Sequence, residues 1–185
     1  MARPRLSRLC RWRRPLGILA VVSEGCWTIR AAGPDDGGFI GEMLVEAVNW
    51  SPERNLSPGR IFSVPELAHY VTGWPRQGDL GVVAEASERP VGAAWLRFFP
   101  ASDPGYGFVG ADVPELSIGV AAPWRGRGVG RALLRAIADR ARSAGIGQVS
   151  LSVGRRNYAH RLYLGEGYKI VDSSDAASDT MIKEL

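Results

Sequence analysis

Residues 116–144 of this 185-residue chain read LSIGVAAPWRGRGVGRALLRAIADRARSA, and this stretch decides the fold. It begins with a short apolar segment, Leu116–Val120, which predicts a strand, and a turn that contains Pro123 follows. From Arg131 onward the pattern is helical. The buried face of that helix is predicted from apolar residues four positions apart, at Val129, Leu133, Ile137 and Ala141. A strand, a glycine-rich turn and a long helix in this order indicate an α/β fold.

The segment Arg125–Arg131, RGRGVGR, lies between the strand and the helix, and we call it the collar. The first N–H groups of a helix have no helical partners, and the aligned peptide dipoles make this end positive. Because glycine has no Cβ, a ligand can touch the backbone at Gly126, Gly128 and Gly130. Mobile positive charge is added by Arg125, Arg127 and Arg131. The collar is therefore predicted to bind an anion.

Two familiar phosphate-binding motifs do not fit the collar. A P-loop requires a Lys followed by Ser or Thr after its glycines, and no such pair occurs here. A dinucleotide-binding turn that starts at Gly126 and Gly128 requires glycine at position 131, which is Arg131. The collar instead reads R-x-x-G-x-G, and it follows a strand end of the form V-x-x-P.

A second motif lies at residues 157–168, NYAHRLYLGEGY. With the collar, it resembles the motifs of the GCN5-related N-acetyltransferases (GNAT), in which the second motif reads N-x-A-x-x-L-Y-x-x-x-G-[FY]. The matching residues are Asn157, Ala159, Leu162, Tyr163, Gly167 and Tyr168. Glu166 departs from the pattern, because an apolar residue is common before this glycine. The resemblance extends from about Trp27 to the C-terminus.

The resemblance implies an α/β fold with a mixed, mostly antiparallel sheet of six to seven strands, flanked by about four helices. It also implies a splay between the two central parallel strands. Acetyl-coenzyme A is the implied cosubstrate, and no metal is implied. The implied cofactor-binding residues are Ile118, Gly119 and Val120 through their backbone, then Arg125, Gly126, Arg127, Gly128, Val129, Gly130, Arg131 and Asn157. Tyr163 matches the family's tyrosine that protonates the leaving thiolate.

A general base is needed because an amine with a pKa near 10.4 is neutral in only about one part in a few thousand at pH 7. On the central strand, Leu116 and its alternate neighbours face one side, so Glu115 and Ser117 face the other. Many family members carry a carboxylate at the position of Glu115, which is therefore the first choice for the base. Asp112 and His69 are alternatives, and water alone is a further one.

The remaining elements follow from apolar periodicity and turn residues. Strands are predicted at 27–31, 80–85, 91–99, 148–153, 168–171 and 180–183. Helices are predicted from Pro34, over 64–71 and over 157–164, and loops at 49–60 and 101–110. The second loop is expected to lie over the active face. The predicted helices before residue 80 and their connecting loop contain Trp50, His69, Tyr70 and Trp74. In the GNAT family this region forms the wall of the acceptor pocket, but each of these aromatic side chains is better explained as part of the core.

Residues 1–25 differ from the rest of the chain, since six arginines precede an apolar run at 16–22. Without these six charges the net charge changes from +4 to −2, so we infer neither a nucleic-acid nor a membrane partner. The segment is a signal peptide, a binding arm or a leader outside the domain at 26–185, and we favour the last. The two cysteines, Cys10 and Cys26, predict neither a disulfide framework nor a zinc site, and we expect a cytoplasmic location.

The sequence therefore predicts an N-acetyltransferase that moves acetyl from acetyl-coenzyme A to a primary amine by direct attack in a ternary complex. The acceptor is a small molecule or a protein amine, and the protein is a monomer or a homodimer. The alternative is a non-catalytic domain of the same fold that binds or senses acyl-coenzyme A.

Overall fold

The computed structural model describes residues 27–51 and 53–185, and the leader predicted at residues 1–25 lies outside this range. The strands are β1 (Thr28–Ala31), β2 (Leu80–Ala86), β3 (Arg89–Arg97), β4 (Glu115–Val120), β5 (Gln148–Gly154), β6 (Lys169–Asp172) and β7 (Ser178–Glu184). They form one sheet in the order β1-β2-β3-β4-β5-β7-β6. The helices are α1 (Gly37–Val48), α2 (Pro58–Phe62), α3 (Pro65–Ala68), α4 (Val129–Ser143) and α5 (Ala159–Gly165).

All neighbouring strands are antiparallel except the central pair, β4 and β5. This parallel pair is bridged only where Glu115 faces Ser150, near the start of β4. By contrast, β5 pairs with β7 from Gln148 to Gly154 without a break. The two central strands therefore separate beyond Glu115, which confirms the mixed, mostly antiparallel sheet and the splay that the sequence predicts.

Two apolar clusters lie on opposite faces of the sheet. Helix α4 covers one face with a stripe of buried residues that includes Val129, Leu133, Ile137 and Ala141, as the sequence predicts. Helix α1 covers the other face through Ile40, Met43 and Leu44, which pack against β2 and β3. Gly119 permits this second layer, because a Cβ at this position would lie 2.2 Å from the carbonyl oxygen of Met43.

The helices before β2 differ from the prediction. The predicted loop at 49–60 ends instead in α2, where the Ser57 hydroxyl accepts a hydrogen bond from the Arg60 N–H and Pro58 takes the first helical position. The helix predicted over 64–71 is wrong in length, since α3 covers only Pro65–Ala68 and turns follow. As a result His69 and Tyr70 are buried, whereas Leu67, Ala68 and Val71 are only half-buried.

The described helices are all too short or too polar to cross a membrane.

Candidate active site

The separation of β4 and β5 opens a groove of about 1190 Å³. At one end it is lined by the collar, including Gly126, Gly128 and Gly130, and at the other end by Glu115, Tyr70 and Tyr106. Residues of β4 form one wall, and Asn157, Leu162 and Tyr163 lie on the other side. Strand β4 pairs with β3 in an antiparallel arrangement, in which only every second residue directs its N–H and C=O groups toward the partner strand. The N–H and C=O groups of the remaining β4 residues therefore point into the groove.

Two of the three collar glycines adopt a backbone conformation that other residues rarely take. Gly126 has φ +71° and Gly128 has φ +86°, both in the left-handed region. Gly128 precedes α4, and the first helical hydrogen bond runs from the Ala132 N–H to the Gly128 carbonyl oxygen at 3.1 Å. The N–H groups of residues 129–131 precede that bond and form the positive end of a 15-residue helix. Because the Val129 side chain is buried in the core, only its backbone can serve a ligand.

Glu115 is a buried carboxyl group at the far end of the groove, with an exposed fraction of 4%. Its Oε1 accepts a hydrogen bond of 2.7 Å from the Tyr70 hydroxyl. Its Oε2 is buried and has no hydrogen-bond partner among the described residues. Burial raises the pKa of Glu115 from 4.5 to about 7, although the Tyr70 hydrogen bond and the nearby Gly107 backbone N–H lower it. A carboxyl group in this environment can gain and lose a proton at neutral pH.

Tyr163 lies on α5 and lines the groove, and its exposed fraction is 7%. Its ring packs edge-to-face against Tyr168, with the ring centroids 5.6 Å apart. Burial is the main reason why the pKa of Tyr163 is raised above 10, and the phenol therefore keeps its proton at neutral pH. The structure thus places Tyr163 and Glu115 in the lining of the same groove.

The family model for acetyltransferases of the GNAT family matches residues 44–168, more than half of the chain. This match spans the groove from α1 to the second motif. The chain belongs to the GNAT family. No protein of curated function matches the sequence.

Solved GNAT structures share this fold. One is the PaiA N-acetyltransferase of Thermoplasma acidophilum in complex with coenzyme A, with 18% identity and a TM-score of 0.60 over 86% of this chain and 99% of that one. The ribosomal-protein-alanine N-acetyltransferase of Brucella melitensis has 24% identity and a TM-score of 0.60 over 85% and 99%. The protein yncA of Salmonella typhimurium with its cofactor acetyl-CoA has 24% identity and a TM-score of 0.60 over 86% and 93%.

Each arginine of the GNAT collar already has an interaction, which the sequence does not predict. Arg125 donates to the Val120 carbonyl oxygen at 3.0 Å and forms an ion pair with Glu46 of α1. The Arg127 guanidinium lies 5.3 Å from the centroid of the Trp124 ring. Of the three arginines, Arg125 and Arg131 line the groove.

Glu166, the departure from the GNAT motif, explains the position of Arg131. Its carboxylate oxygens lie 2.9 Å from Arg131 Nε and 2.9 Å from Arg135 Nε, and its side chain is only 6% exposed. Arg135, and to a lesser degree Arg131, hold the pKa of this carboxyl below its usual range. A charged residue is therefore accommodated at this usually apolar position because two arginines of α4 neutralise it.

The other predicted site residues occupy distinct places. The Asn157 side chain lines the groove, and its Oδ1 accepts a 2.9 Å hydrogen bond from the Ala159 N–H at the start of α5. Asp112 is exposed and is not among the residues that line the groove. His69 is buried outside the groove lining, with Nδ1 3.0 Å from Asp103 Oδ1.

Tyr70 is the site residue that sequence reasoning missed. It is buried, as predicted for a core residue, but its hydroxyl group also hydrogen-bonds to Glu115, which the sequence does not predict. The two residues are 45 positions apart, so no local periodicity relates them. A buried tyrosine hydroxyl usually has a partner, and this rule was the available signal.

Proposed function

We propose that this GNAT protein transfers acetyl from acetyl-coenzyme A to a primary amine by direct attack in a ternary complex. The observation that carries the proposal is the position of Glu115, a buried carboxyl group with a pKa of about 7 in the groove between the separated strands. The groove extends from this carboxyl group to the collar, so one continuous surface serves both substrates.

The collar and β4 fit the cosubstrate. The N–H groups of residues 129–131 and the glycine turns at Gly126 and Gly128 would hold a diphosphate. The peptide groups of Ile118, Gly119 and Val120 that face the groove would hydrogen-bond to the pantetheine arm and the thioester oxygen. Asn157 would contact the arm from the opposite wall. Acetyl-coenzyme A supplies an acetyl thioester, which is already activated.

Glu115 acts as the general base in this proposal. An alkylammonium with a pKa near 10.4 must lose a proton before its nitrogen can attack a carbonyl carbon. Glu115 accepts that proton directly or through one water, because its carboxylate form is substantially populated at neutral pH. The buried Tyr70 side chain and the backbone at Gly105, which both lie against Glu115, limit competition from bulk water.

Tyr163 acts as the general acid. Its buried phenol keeps its proton at neutral pH and lies on the groove wall formed by α5. When the C–N bond forms and the C–S bond breaks, Tyr163 donates a proton to the sulfur that leaves. The nitrogen loses two protons in all. Glu115 takes the first before attack, and the second leaves the nitrogen of the tetrahedral intermediate to solvent, which returns a proton to Tyr163. Glu115 then releases its proton to solvent, so the net products are the amide, the free thiol and one proton.

Release of free coenzyme A thiol in the presence of a panel of amines tests the proposal. We expect an amine-dependent release by the native protein that Glu115→Gln lowers by about 10²–10⁴-fold. Asp112→Asn is the matched control, since this exposed carboxylate lies outside the groove lining, and it should leave the rate unchanged. Binding of acetyl-coenzyme A without release for any amine would instead favour the non-catalytic acyl-coenzyme A sensor.

A further inference from the structure

A chain of two hydrogen bonds ends on the Glu115 carboxyl group. The Tyr106 backbone N–H donates to Tyr70 Oη at 2.7 Å, and the Tyr70 hydroxyl donates to Glu115 Oε1 at 2.7 Å. The three residues belong to the loop before β4, the turns after α3 and β4 itself. Since the N–H of Tyr106 can only donate, Tyr70 Oη must accept it, which directs the Tyr70 proton toward Glu115.

The loop before β4 closes over the second oxygen of Glu115. A Cβ on Gly105 would lie 2.1 Å from Glu115 Oε2 and 2.8 Å from Tyr70 Oη. The backbone therefore passes directly over the pair, and Oε2 is buried without a hydrogen-bond partner in the described part of the chain. Within the described residues, Tyr70 is therefore the only side chain that hydrogen-bonds to this carboxyl group.

The ring of Tyr70 is held independently of its hydroxyl group. It packs edge-to-face with Phe99 and with His69, at centroid distances of 5.0 Å and 4.8 Å. It also lies nearly parallel to the Tyr106 ring at 6.4 Å. These contacts remain in a phenylalanine of the same shape, so loss of the hydroxyl alone should leave the fold intact.

The other charged groups around Glu115 are paired with each other. Arg97, the cross-strand neighbour of Glu115 on β3, binds both carboxylate oxygens of Asp79 and the carbonyl oxygen of His69. The His69 ring faces Asp103, and on α1 Glu46 pairs with Arg125. On β5 the facing residue is Ser150, which carries no charge. None of these described groups replaces the donor that Tyr70 provides.

We propose that Tyr70 is a positioning residue for Glu115: its hydroxyl fixes Oε1 and stabilises the carboxylate, so that Glu115 can accept a proton at neutral pH. The inference rests on the proposed role of Glu115 as the base. Without the hydroxyl group, a buried carboxylate loses its side-chain donor and is destabilised relative to the neutral acid. Glu115 then stays protonated to a higher pH.

The first test is the pH dependence of kcat/KM for thiol release by Tyr70→Phe. We expect the midpoint of the acidic limb to move to higher pH by about one unit, while the rate on the alkaline plateau stays within a few-fold of native. Phe99→Leu is the control for packing, because it disturbs the same cluster and keeps both hydrogen bonds. Its midpoint should not move. A native midpoint in Tyr70→Phe would refute either the positioning role of Tyr70 or the assignment of Glu115 as the base, and the second test separates these two outcomes.

The second test measures the Glu115 carboxyl group itself. In protein labelled with carboxyl-¹³C glutamate, the Glu115 resonance is assigned as the one that Glu115→Gln removes. We expect Tyr70→Phe to raise its titration midpoint by the same amount as the kinetic limb. If the resonance shifts but the kinetic limb does not, Tyr70 acts on Glu115 as proposed and the assignment of Glu115 as the base fails. If the resonance does not shift, the positioning role is refuted.

Discussion

At the scale of single residues, opposing effects determine the chemistry of Glu115. Burial disfavours its negative charge, while the Tyr70 hydroxyl and the Gly107 N–H favour it. The balance gives a pKa of about 7, more than two units above the value of 4.5 for an exposed glutamate. A base of this kind is half-available at neutral pH, whereas a fully exposed glutamate would be a much weaker proton acceptor.

The pH–rate profile follows from the raised pKa. We expect kcat/KM of the native protein to fall tenfold per pH unit below about pH 7, because Glu115 becomes protonated there. Glu115→Gln should have a low rate without this limb. The measurement is thiol release between pH 5 and 9 at subsaturating amine. An identical limb in native protein and Glu115→Gln would assign the base to another group.

Tyr163→Phe is expected to lower kcat by about 10–100-fold and to leave the affinity for acetyl-coenzyme A within about twofold. The ring still packs against Tyr168, so only the proton donor is lost. Single-turnover rates and a binding isotherm separate the two quantities. An unchanged kcat would remove Tyr163 from the mechanism.

At the scale of elements, the loop before β4 covers the Glu115 carboxyl group. Gly105 lies so close to Oε2 that any larger residue must displace the loop or the carboxyl group. We expect Gly105→Ala to admit water, and to lower the Glu115 pKa because burial is the largest cause of its elevation. The acidic limb should then move to lower pH, opposite to the shift in Tyr70→Phe. A shift to higher pH would contradict this role of the loop.

The sequence predicts the elements well where periodicity is local. The stripe on α4 and the strands predicted at 80–85 and 148–153 follow from neighbouring residues, and the structure confirms them. The contact between Tyr70 and Glu115 and the ion pairs of Glu166 depend on tertiary packing between distant segments. The position of Glu115 on the face opposite Leu116 was predictable, but its enclosure by Tyr70 and Gly105 was not.

At the scale of the whole molecule, the raised pKa of Glu115 also affects stability. Between about pH 4.5 and pH 7, Glu115 is mostly protonated in the folded protein and mostly ionised in the unfolded chain. The stability contributed by this proton is present below the unfolded pKa and is lost as the pH rises through the folded value. In the proposed mechanism, the carboxylate form that acts as the base is therefore the form in which the folded protein is less stable.

Urea denaturation of native protein and Glu115→Gln at pH 5 and pH 8.5 measures this cost. We expect the free energy of unfolding of native protein to fall by about 2–3 kcal/mol more than that of Glu115→Gln when the pH is raised from the lower to the higher value. The constant effect of the substitution cancels in this comparison. A difference between the two proteins that is the same at both pH values would contradict the raised pKa.

Calorimetric titration with acetyl-coenzyme A tests the central claim most directly, namely that the collar and the separated strands form the acyl-coenzyme A site. The account predicts saturable binding at one site, retained in Glu115→Gln. In Gly128→Ala the backbone must hold alanine at a φ near +86°, and we expect binding at least about tenfold weaker. No saturable binding at millimolar ligand, or equal affinity of native protein and Gly128→Ala, would contradict it.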